Sequence, residues 1–455
     1  MEEILLPYGE RPLSWAPGAH NVTVLRCNDI PALGDLRSSL QDSLRRPTRS
    51  QPLRARATAA GRIAILVSDP TRLFPQRTVL AAVLDELSSV DPRRITIVVA
   101  RGNHGGTDAS AVGIAGDIAS RFRIVNHDSL DGESMAVVGT LPARERVFFL
   151  RQALRHIGRS LLRAPLSART FLGRLSARDW QGVRAAAGYT MFVRALCICA
   201  ASLRSTVRIR REVVDADLRI LIGQIKPHFL AGFSGGFKAV FPGCAGRTGI
   251  AQNHFMMNHP SVALGRSEGN IIREHIEQAG RLCGESFAVN VVMNGGNRVA
   301  GIFAGDPVAS HRRGAELCRR IGKVETPRAD IVITAEGFPE AMNLYQLTKI
   351  VPAAARIVRK GGAIICVGAC RDGIGGLTVL NEITFKIGFW NLLPRNVRVY
   401  LVSDLPRRDV AHTEFIYAGT VDEAVAREKT RFTTPPSVTV LSGAGLLIPE
   451  AVDNH

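Results

Sequence analysis

Residues 62–68 read Arg62-Ile-Ala-Ile-Leu-Val-Ser68 and lead directly into Asp69-Pro70-Thr71-Arg72, and this stretch decides the fold. A continuous apolar run that ends in a polar loop is typical of a parallel strand buried on both faces. A second such strand, residues 94–100, runs into Arg101-Gly-Asn-His104, and a helical pattern over 77–89 lies between the two strands. This alternation predicts a doubly wound α/β domain, in which ligands gather at the carboxyl ends of the strands.

The same pattern recurs along the chain and predicts a second, smaller α/β domain. Residues 217–223 and 287–293 read as further strands of the first domain. Residues 330–334, a helical stretch over 341–358 and residues 363–368 then repeat the strand and helix alternation. We therefore expect two domains with mostly parallel, doubly wound sheets. The expected division is an N-terminal cofactor and catalytic domain over 1–325, a smaller domain over 326–430, and a tail over 431–455 that returns to the first domain.

The net charge of +18 is concentrated in one segment. Between Thr140 and Val213 there are fifteen Arg and no Lys against three acids, so this sixth of the chain carries two thirds of the excess. Arg recurring about every four residues among apolar residues predicts an inserted set of amphipathic helices over 145–207. The insertion could form a helical lid, an oligomer contact or a nucleic-acid patch. It lacks the interleaved aromatic and Gly residues of nucleic-acid-binding segments, which disfavours the last of these.

The cysteines and the apolar segments favour a cytoplasmic protein. The eight Cys are scattered without paired C-x2-C spacings, which suits a reduced-thiol environment. The acidic start, Met1-Glu-Glu, lacks the basic beginning of a signal peptide. The longest apolar stretch, residues 185–203, contains Arg194, whose burial at a bilayer centre would cost about 2.5 kcal/mol or more. We expect no contact with a membrane.

Residues 227–259 concentrate side chains that can carry chemistry. They include three of the eleven His, together with Lys238 and the turn Ser234-Gly235-Gly236. If a helix begins at this turn, its backbone amides would suit a phosphate; the structural alternative is a tight turn with no ligand. His254 and His259, spaced i, i+5, do not share a helix face, so at most one of them should point into a given site.

Several separated motifs resemble the signature of the lactate racemase family. They agree with it in order and spacing, which is more specific than any one Gly-rich loop, and they span nearly the whole chain apart from the insertion. The motifs are residues 68–72, 102–104, 227–229, 232–238, 241–246, 253–254, 268–270, 303–306 and 343–349.

The resemblance implies a cofactor, a nickel-pincer pyridinium-3,5-dithio mononucleotide, supplied by cofactor-synthesis proteins. Its nickel would be held through two sulfurs and one carbon, with a protein His as fourth ligand in a square-planar centre. By motif position His254 is that ligand, and Lys238 is the residue that in some members joins the cofactor through a thioamide. The turn Ser234-Gly235-Gly236 is expected to contact the cofactor.

The resemblance also implies the pocket and the substrate, a small 2-hydroxy acid such as lactate. Asp69, Arg72, Gln346 and Lys349 match the positions that line the family's substrate and cofactor pocket. Without the resemblance, Asp69 and Arg72 read as a pair across a loop, and Gln346 with Lys349 as a solvated helix face at i, i+3. Arg72 would hold the substrate carboxylate in a bidentate pair.

The implied reaction is racemisation by reversible hydride transfer, and it explains two histidines on separate loops, His104 and His228. One His removes the hydroxyl proton of one enantiomer while hydride moves to the cofactor, a planar keto acid forms, and hydride returns to either face. The second His serves the mirror-image substrate. An imidazole with a pKa near neutrality can act in both directions.

Two positions depart from the family pattern and leave alternatives open. Phe237 stands where the family usually has Arg, and Lys226 stands where an acid is common. The identity of the 2-hydroxy acid and the oligomeric state therefore stay open. The alternative functions are a binding protein that uses the basic insertion to dock an acidic partner or nucleic acid, and a non-racemising lyase or dehydrogenase on the same cofactor.

Overall fold

The structure is a computed structural model, and it describes residues 3–18, 21–69, 72–103, 114, 116–141, 205–375, 392–411 and 413–452. His104 and residues 142–204, which include nearly all of the predicted helical insertion, lie outside the described residues.

The described strands are β1 (Ile4–Leu6), β2 (Leu13–Trp15), β3 (Val22–Leu25), β4 (Ile63–Ser68), β5 (Ile95–Ala100), β6 (Arg123–Asn126), β7 (Met135–Leu141), β8 (Ser205–Arg210), β9 (Leu218–Ile225), β10 (Pro227–His228), β11 (Gly232–Phe233), β12 (Ser286–Met293), β13 (Val299–Gly305), β14 (Lys323–Pro327), β15 (Ala329–Ala335), β16 (Val358–Val367), β17 (Arg398–Val402), β18 (Ile416–Tyr417), β19 (Val438–Ser442) and β20 (Ile448–Val452). The described α-helices are α1 (Leu36–Arg45), α2 (Leu53–Ala59), α3 (Gln76–Glu86), α4 (Gly116–Arg121), α5 (Arg211–Val214), α6 (Arg247–His254), α7 (Ile271–Arg281), α8 (Ala309–Gly322), α9 (Leu344–Leu347), α10 (Val351–Ala355), α11 (Arg407–Val410) and α12 (Val421–Lys429).

The first sheet has six strands in the order β13-β12-β9-β4-β5-β6. Neighbouring strands are parallel except for the antiparallel pair β12 and β13. Along β4, Ile63, Ile65 and Val67 pack into one hydrophobic cluster, whereas Ala64 and Leu66 pack into another. The strand is therefore covered on both faces, which is why its sequence is apolar at consecutive positions.

The second sheet also has six strands, in the order β18-β17-β16-β15-β19-β3, and every neighbouring pair is parallel. Ile331, Ile333 and Ala335 pack on one face of β15, and Val332 packs on the other. These two parallel-dominated sheets with flanking helices confirm the predicted α/β class. Among the described residues no helix is both long and apolar enough to cross a lipid bilayer.

The strand pairing differs from the expected division of the chain at both ends. Residues 22–25, placed in the first domain from the sequence, form the edge strand β3 of the second sheet, and residues 438–442 form β19 between β3 and β15. Only part of the tail returns to the first unit, through Ile448, which packs near Ile225 and Phe233. A strand of four or five residues carries no signal for the sheet that it joins, because any parallel edge can satisfy its backbone. The domain limits stay a prediction.

The single helix predicted over 341–358 is broken into short turns. A 3-10 turn, Glu340–Met342, is followed by α9, a second 3-10 turn, Thr348–Ile350, and α10. The break comes at Asn343, which is extended and whose side chain caps α9 by accepting a hydrogen bond from the Gln346 amide at 2.9 Å. These turns carry the residues that the second unit contributes to the site.

The predicted helical insertion over 145–207 ends too late, because residues 205–207 begin strand β8, which pairs with β7. β7 and β8 are antiparallel, and Leu141 is the register partner of Ser205. The described chain therefore stops at residue 141 and resumes at residue 205, and these two residues are neighbours across the β7 and β8 pair.

Candidate active site

A cavity of about 1220 Å³, measured with its open mouth, lies at the carboxyl ends of the strands of the first sheet. The ends of β4, β5 and β9 supply residues 68–69, 100–103 and 222–224 to its wall. The segment 345–349 of the second unit closes one side. This is the location predicted from the polar loops that follow these strands.

The loop that follows β9 is held in one shape by backbone constraints and by a buried arginine. Gly232 has φ +75°, and a Cβ there would collide with the carbonyl oxygen of Arg266. Arg273 has no exposed surface, and its guanidinium donates to the backbone carbonyls of Ala231, Phe233 and Gly235. The loop therefore presents a preformed surface to the cavity.

The Ser234-Gly235-Gly236 turn lines the cavity, but two of its amides are engaged within the protein. The Ser234 amide donates to the Lys226 carbonyl at 2.9 Å, and the Gly236 amide donates to Asn290 Oδ1 at 2.9 Å. The helical element that follows is a 3-10 turn of four residues, Gly236–Ala239. The helix on which the predicted phosphate cradle depended is therefore not formed here, and contact between this turn and a cofactor stays a prediction.

The two described histidines of the cavity are held in opposite tautomers. His228 Nδ1 accepts hydrogen bonds from the amides of Leu230 and Ala231 at 3.2 and 3.3 Å, so the proton of a neutral ring sits on Nε2. His254 Nδ1 donates to the Ile250 carbonyl at 2.9 Å, so the lone pair of its ring sits on Nε2. Nε2 of His228 is thus arranged to donate a hydrogen bond, and Nε2 of His254 carries a lone pair.

Lys238 lies against His228, with 3.3 Å between Lys238 Nζ and His228 Nε2. Burial, followed by the positive charges of Arg273, Arg72 and Lys349, holds the pKa of Lys238 well below its usual range. Burial and the charges of Lys238, Lys349 and Arg72 likewise hold the pKa of His228 well below its usual value. A neutral amine can accept from the Nε2–H of His228, so the two shifts agree with the tautomer.

Among the described residues that line the cavity, cationic side chains outnumber the single acid, Asp69. Arg72 and Lys349 line the wall together with Lys238. Burial lowers the pKa of Lys349 to about 7, and Arg72 acts in the same direction. The charge of Arg72 lowers the pKa of both Lys238 and Lys349, and a bound carboxylate or phosphate would offset this repulsion.

Gln346 and Lys349 do not form a solvated helix face. Gln346 is buried, and its Oε1 accepts a hydrogen bond from Lys349 Nζ. Lys349 lines the cavity, whereas Gln346 lies behind it and orients the ammonium group. Arg72 and Asp69 are joined through the backbone, where the Arg72 amide donates to the Asp69 carbonyl at 3.4 Å.

The structure adds residues that were not singled out from the sequence. Tyr345 and Thr348 line the cavity, and Lys349 Nζ lies 5.2 Å from the centre of the Tyr345 ring. Tyr345 lies four residues before Lys349, a spacing that puts two side chains on one helix face, and this was the available signal for it. Arg101 also lines the cavity, as the first residue after β5. His259, in contrast, bonds to Ser261 and does not line the cavity, as expected if only His254 does so.

Within the described residues, no group of three or more His, Cys, Asp and Glu is placed to hold a metal ion. A metal bound at His254 would therefore take its other ligands from a cofactor or from residues outside the described ranges.

Comparison with known proteins agrees with this geometry. The family model described as the lactate racemase N-terminal domain matches residues 8–156 and 198–265, and the model for the lactate racemase C-terminal domain matches residues 324–387. Together they cover more than half of the chain. The unmatched residues 157–197 fall within the predicted insertion.

Two curated relatives are each named lactate racemase. The protein from Lactiplantibacillus plantarum is 29% identical over 444 residues, which is 90% of each chain. The protein from Thermoanaerobacterium thermosaccharolyticum is 28% identical over 389 residues, covering 83% of this chain and 76% of the relative.

Solved structures show the same fold. The lactate racemase apoprotein from Thermoanaerobacterium thermosaccharolyticum superposes with a TM-score of 0.76 at 24% identity, over 98% of this chain and 100% of that one. A crystal structure of a Thermotoga maritima protein gives a TM-score of 0.61 at 15% identity, over 91% and 98%. The matched domains, the relatives and the order of the sequence motifs together assign this chain to the lactate racemase family.

Proposed function

We propose that this chain is a nickel-dependent racemase or epimerase of a small 2-hydroxy acid. The observation that carries the proposal is the single cavity that gathers Arg72, His228, Lys238, His254 and Lys349 from both sheet units. A carboxylate clamp, a proton-transfer group and a metal ligand are what inversion of a hydroxylated carbon requires. A cytoplasmic location and a cofactor supplied by cofactor-synthesis proteins belong to the same proposal.

The residues present fit a nickel-pincer mononucleotide. The Nδ1–H bond from His254 to Ile250 fixes the lone pair on Nε2 for a metal, as an outer partner does for a ligating histidine. The lowered pKa of Lys238 favours its neutral amine, the form that can bond to a thiocarboxyl group. When bound, the cofactor would supply a hydride acceptor.

The substrate carboxylate would sit between Arg72 and Lys349. Arg72 offers a planar guanidinium for a bidentate pair, and Lys349, oriented by Gln346, offers a point charge. Two cations at fixed positions hold the carboxylate in place while the configuration of the neighbouring carbon inverts. The ring of Tyr345 lies beside Lys349 and limits the space for the substrate side chain.

His228 handles the substrate hydroxyl at Nε2. In the tautomer described, Nε2–H donates a hydrogen bond to the substrate oxygen. Accepting the hydroxyl proton requires the other tautomer, which gives up two long amide contacts worth about 1 kcal/mol each at most. A bound carboxylate offsets the charges of Lys349 and Arg72, so it raises the pKa of His228 toward neutrality, where proton transfer in both directions is efficient. His104, the proposed second base, would serve the opposite face.

The proposal is tested by metal analysis of protein produced together with the cofactor-synthesis proteins. We expect about one nickel per chain in the wild type and a loss of nickel in His254→Ala. His259→Ala, a histidine five residues away that does not line the cavity, is the matched control and should keep its nickel. Equal nickel content in all three proteins would remove His254 as the ligand.

A further inference from the structure

Arg101 is the second arginine, besides Arg72, among the described residues that line the cavity, and it has no assigned role so far. It follows β5 directly and lines the wall beside Gly102 and Asn103. Its backbone is held in place, since the Gly102 amide donates to the Gly243 carbonyl at 2.8 Å. The Nε of Arg101 and the Oδ1 of Asn103 are both buried with no hydrogen-bond partner among the described residues.

A buried Nε–H of an arginine without an acceptor is costly, and the side chain cannot escape the cost by losing its proton. Buried polar atoms without partners are rare in folded proteins, and such an atom calls for a missing ligand or water. For an arginine the matching ligand is an oxyanion, either carboxylate or phosphate, held by parallel hydrogen bonds.

Arg101 and Arg72 act on different groups. Arg72 lowers the pKa of Lys238, Lys349 and His228, the residues around the proposed substrate carboxylate. Arg101 acts instead on His127, whose pKa is lowered to about 4 chiefly by burial, with the charges of Arg210 and Arg101 acting in the same direction. The two arginines also enter the cavity from the ends of different strands, Arg72 after β4 and Arg101 after β5, where the next residue, Gly102, bonds to Gly243.

The phosphate of a mononucleotide needs a donor that the Gly-rich turn does not fully supply, because the amides of Ser234 and Gly236 already donate within the protein. We propose that Arg101 forms the subsite for the phosphate group of the pyridinium mononucleotide. This assignment rests on the proposed function, because the pyridinium mononucleotide is the cofactor of that function. Arg72 is left for the substrate carboxylate.

The test compares two nickel-free probes on the full-length protein purified without cofactor. Nicotinic acid mononucleotide carries the pyridinium, ribose and phosphate, and nicotinic acid riboside is the same molecule without the phosphate. Calorimetric titration of both ligands into wild type, Arg101→Leu and Arg101→Lys isolates the contribution of the phosphate. Arg77→Leu, at an exposed arginine of α3, is the matched control.

We expect Arg101→Leu to weaken binding of the mononucleotide about tenfold or more while binding of the riboside changes less than about twofold. Arg101→Lys, which keeps a charge and guards against misfolding of the leucine variant, should retain part of the preference for the mononucleotide. The Arg77→Leu protein should bind both probes as the wild type does.

Two outcomes would overturn the assignment. The first is that the wild type and Arg101→Leu show the same difference in affinity between the mononucleotide and the riboside. The second is that Arg101→Leu binds the mononucleotide as the wild type does but loses kcat/KM selectively for hydroxy diacids over lactate. That result would indicate that Arg101 binds a second carboxylate of the substrate. Because the titration needs neither nickel nor turnover, its failure is distinguishable from failure of the racemase proposal.

Discussion

Lys349 is the group whose protonation makes the cavity sensitive to pH. Burial, with the charge of Arg72, lowers its pKa to about 7, against about 10.4 for an exposed lysine. The folded protein therefore disfavours the charged form: this costs stability below pH 7, and the cost is relieved as the pH rises from 7 toward 10.4. Binding of a carboxylate has the opposite dependence, because it needs the ammonium ion.

We therefore predict that kcat/KM for a 2-hydroxy acid falls above pH 7, by up to about tenfold per pH unit, as free Lys349 loses its proton. In Lys349→Arg the guanidinium stays charged, so this limb of the profile should flatten even if the overall rate drops. Lys360→Arg, at an exposed lysine, is the control and should follow the wild type. Parallel alkaline limbs in wild type and Lys349→Arg would exclude Lys349 as the titrating group.

At the scale of elements, an ion pair joins the loop that follows β9 to the turns that carry Lys349. Lys226, which follows β9 and precedes His228 by two residues, bonds to Glu340 at the start of the turns that carry Lys349. The two side chains are 11% and 14% exposed. Lys226 lowers the pKa of Glu340, against the effect of burial. The lysine found where the family commonly has an acid thus has a partner in this chain.

We predict that Lys226→Met destabilises the protein by about 3 kcal/mol, because it leaves the Glu340 carboxylate buried without its partner. The double variant Lys226→Met/Glu340→Gln removes the orphaned charge and should regain most of that loss in denaturant unfolding. The lowered pKa of Glu340 means that the pair stabilises above the unfolded carboxyl pKa and is lost as the pH falls, so the single variant should differ least from wild type in acid. Equal stabilities of the single and double variants at pH 7 would contradict this reading.

The elements also show how far sequence reasoning reaches. The strands β4, β5, β9 and β12 were located within one or two residues, because an apolar run between polar loops has few other forms. The sheet membership of β3 and β19 was not accessible, since pairing depends on residues hundreds of positions away. Apolar periodicity over 341–358 concealed the break that Asn343 makes by capping α9.

The candidate site divides in the same way. The residues placed in the cavity by motif position, Asp69, Arg72, His228, Lys238, His254 and Lys349, do line it. Gln346 lies behind the wall, because its side chain is used to hold Lys349. The engaged amides of the Gly-rich turn and the partnerless Arg101 depend on tertiary contacts, which no local pattern encodes.

For the whole molecule, the basic insertion is an addition at the end of one hairpin. Its flanking residues, Leu141 and Ser205, are register partners, and the family models skip residues 157–197. We predict that replacing residues 157–197, which the family model skips, with a short Gly-Ser linker leaves the fold, the nickel content and the racemase activity within about twofold of wild type. Loss of racemisation would give the insertion a role in the active site. A salt-sensitive nucleic acid affinity that the deletion abolishes would instead favour the binding-protein alternative.

Inversion of a 2-hydroxy acid by two histidine bases, His104 and His228, can be measured directly by chiral analysis of the products. Protein loaded by cofactor-synthesis proteins is incubated with each pure enantiomer of lactate and related 2-hydroxy acids, and the products are separated by chirality. We predict that the mirror-image acid forms from both enantiomers. We also predict that the racemisation rate falls about 100-fold or more in His104→Ala and in His228→Ala, with nickel retained. A nickel-loaded wild type that leaves every acid uninverted, or releases only the keto acid, while a known lactate racemase loaded in parallel is active, would contradict it.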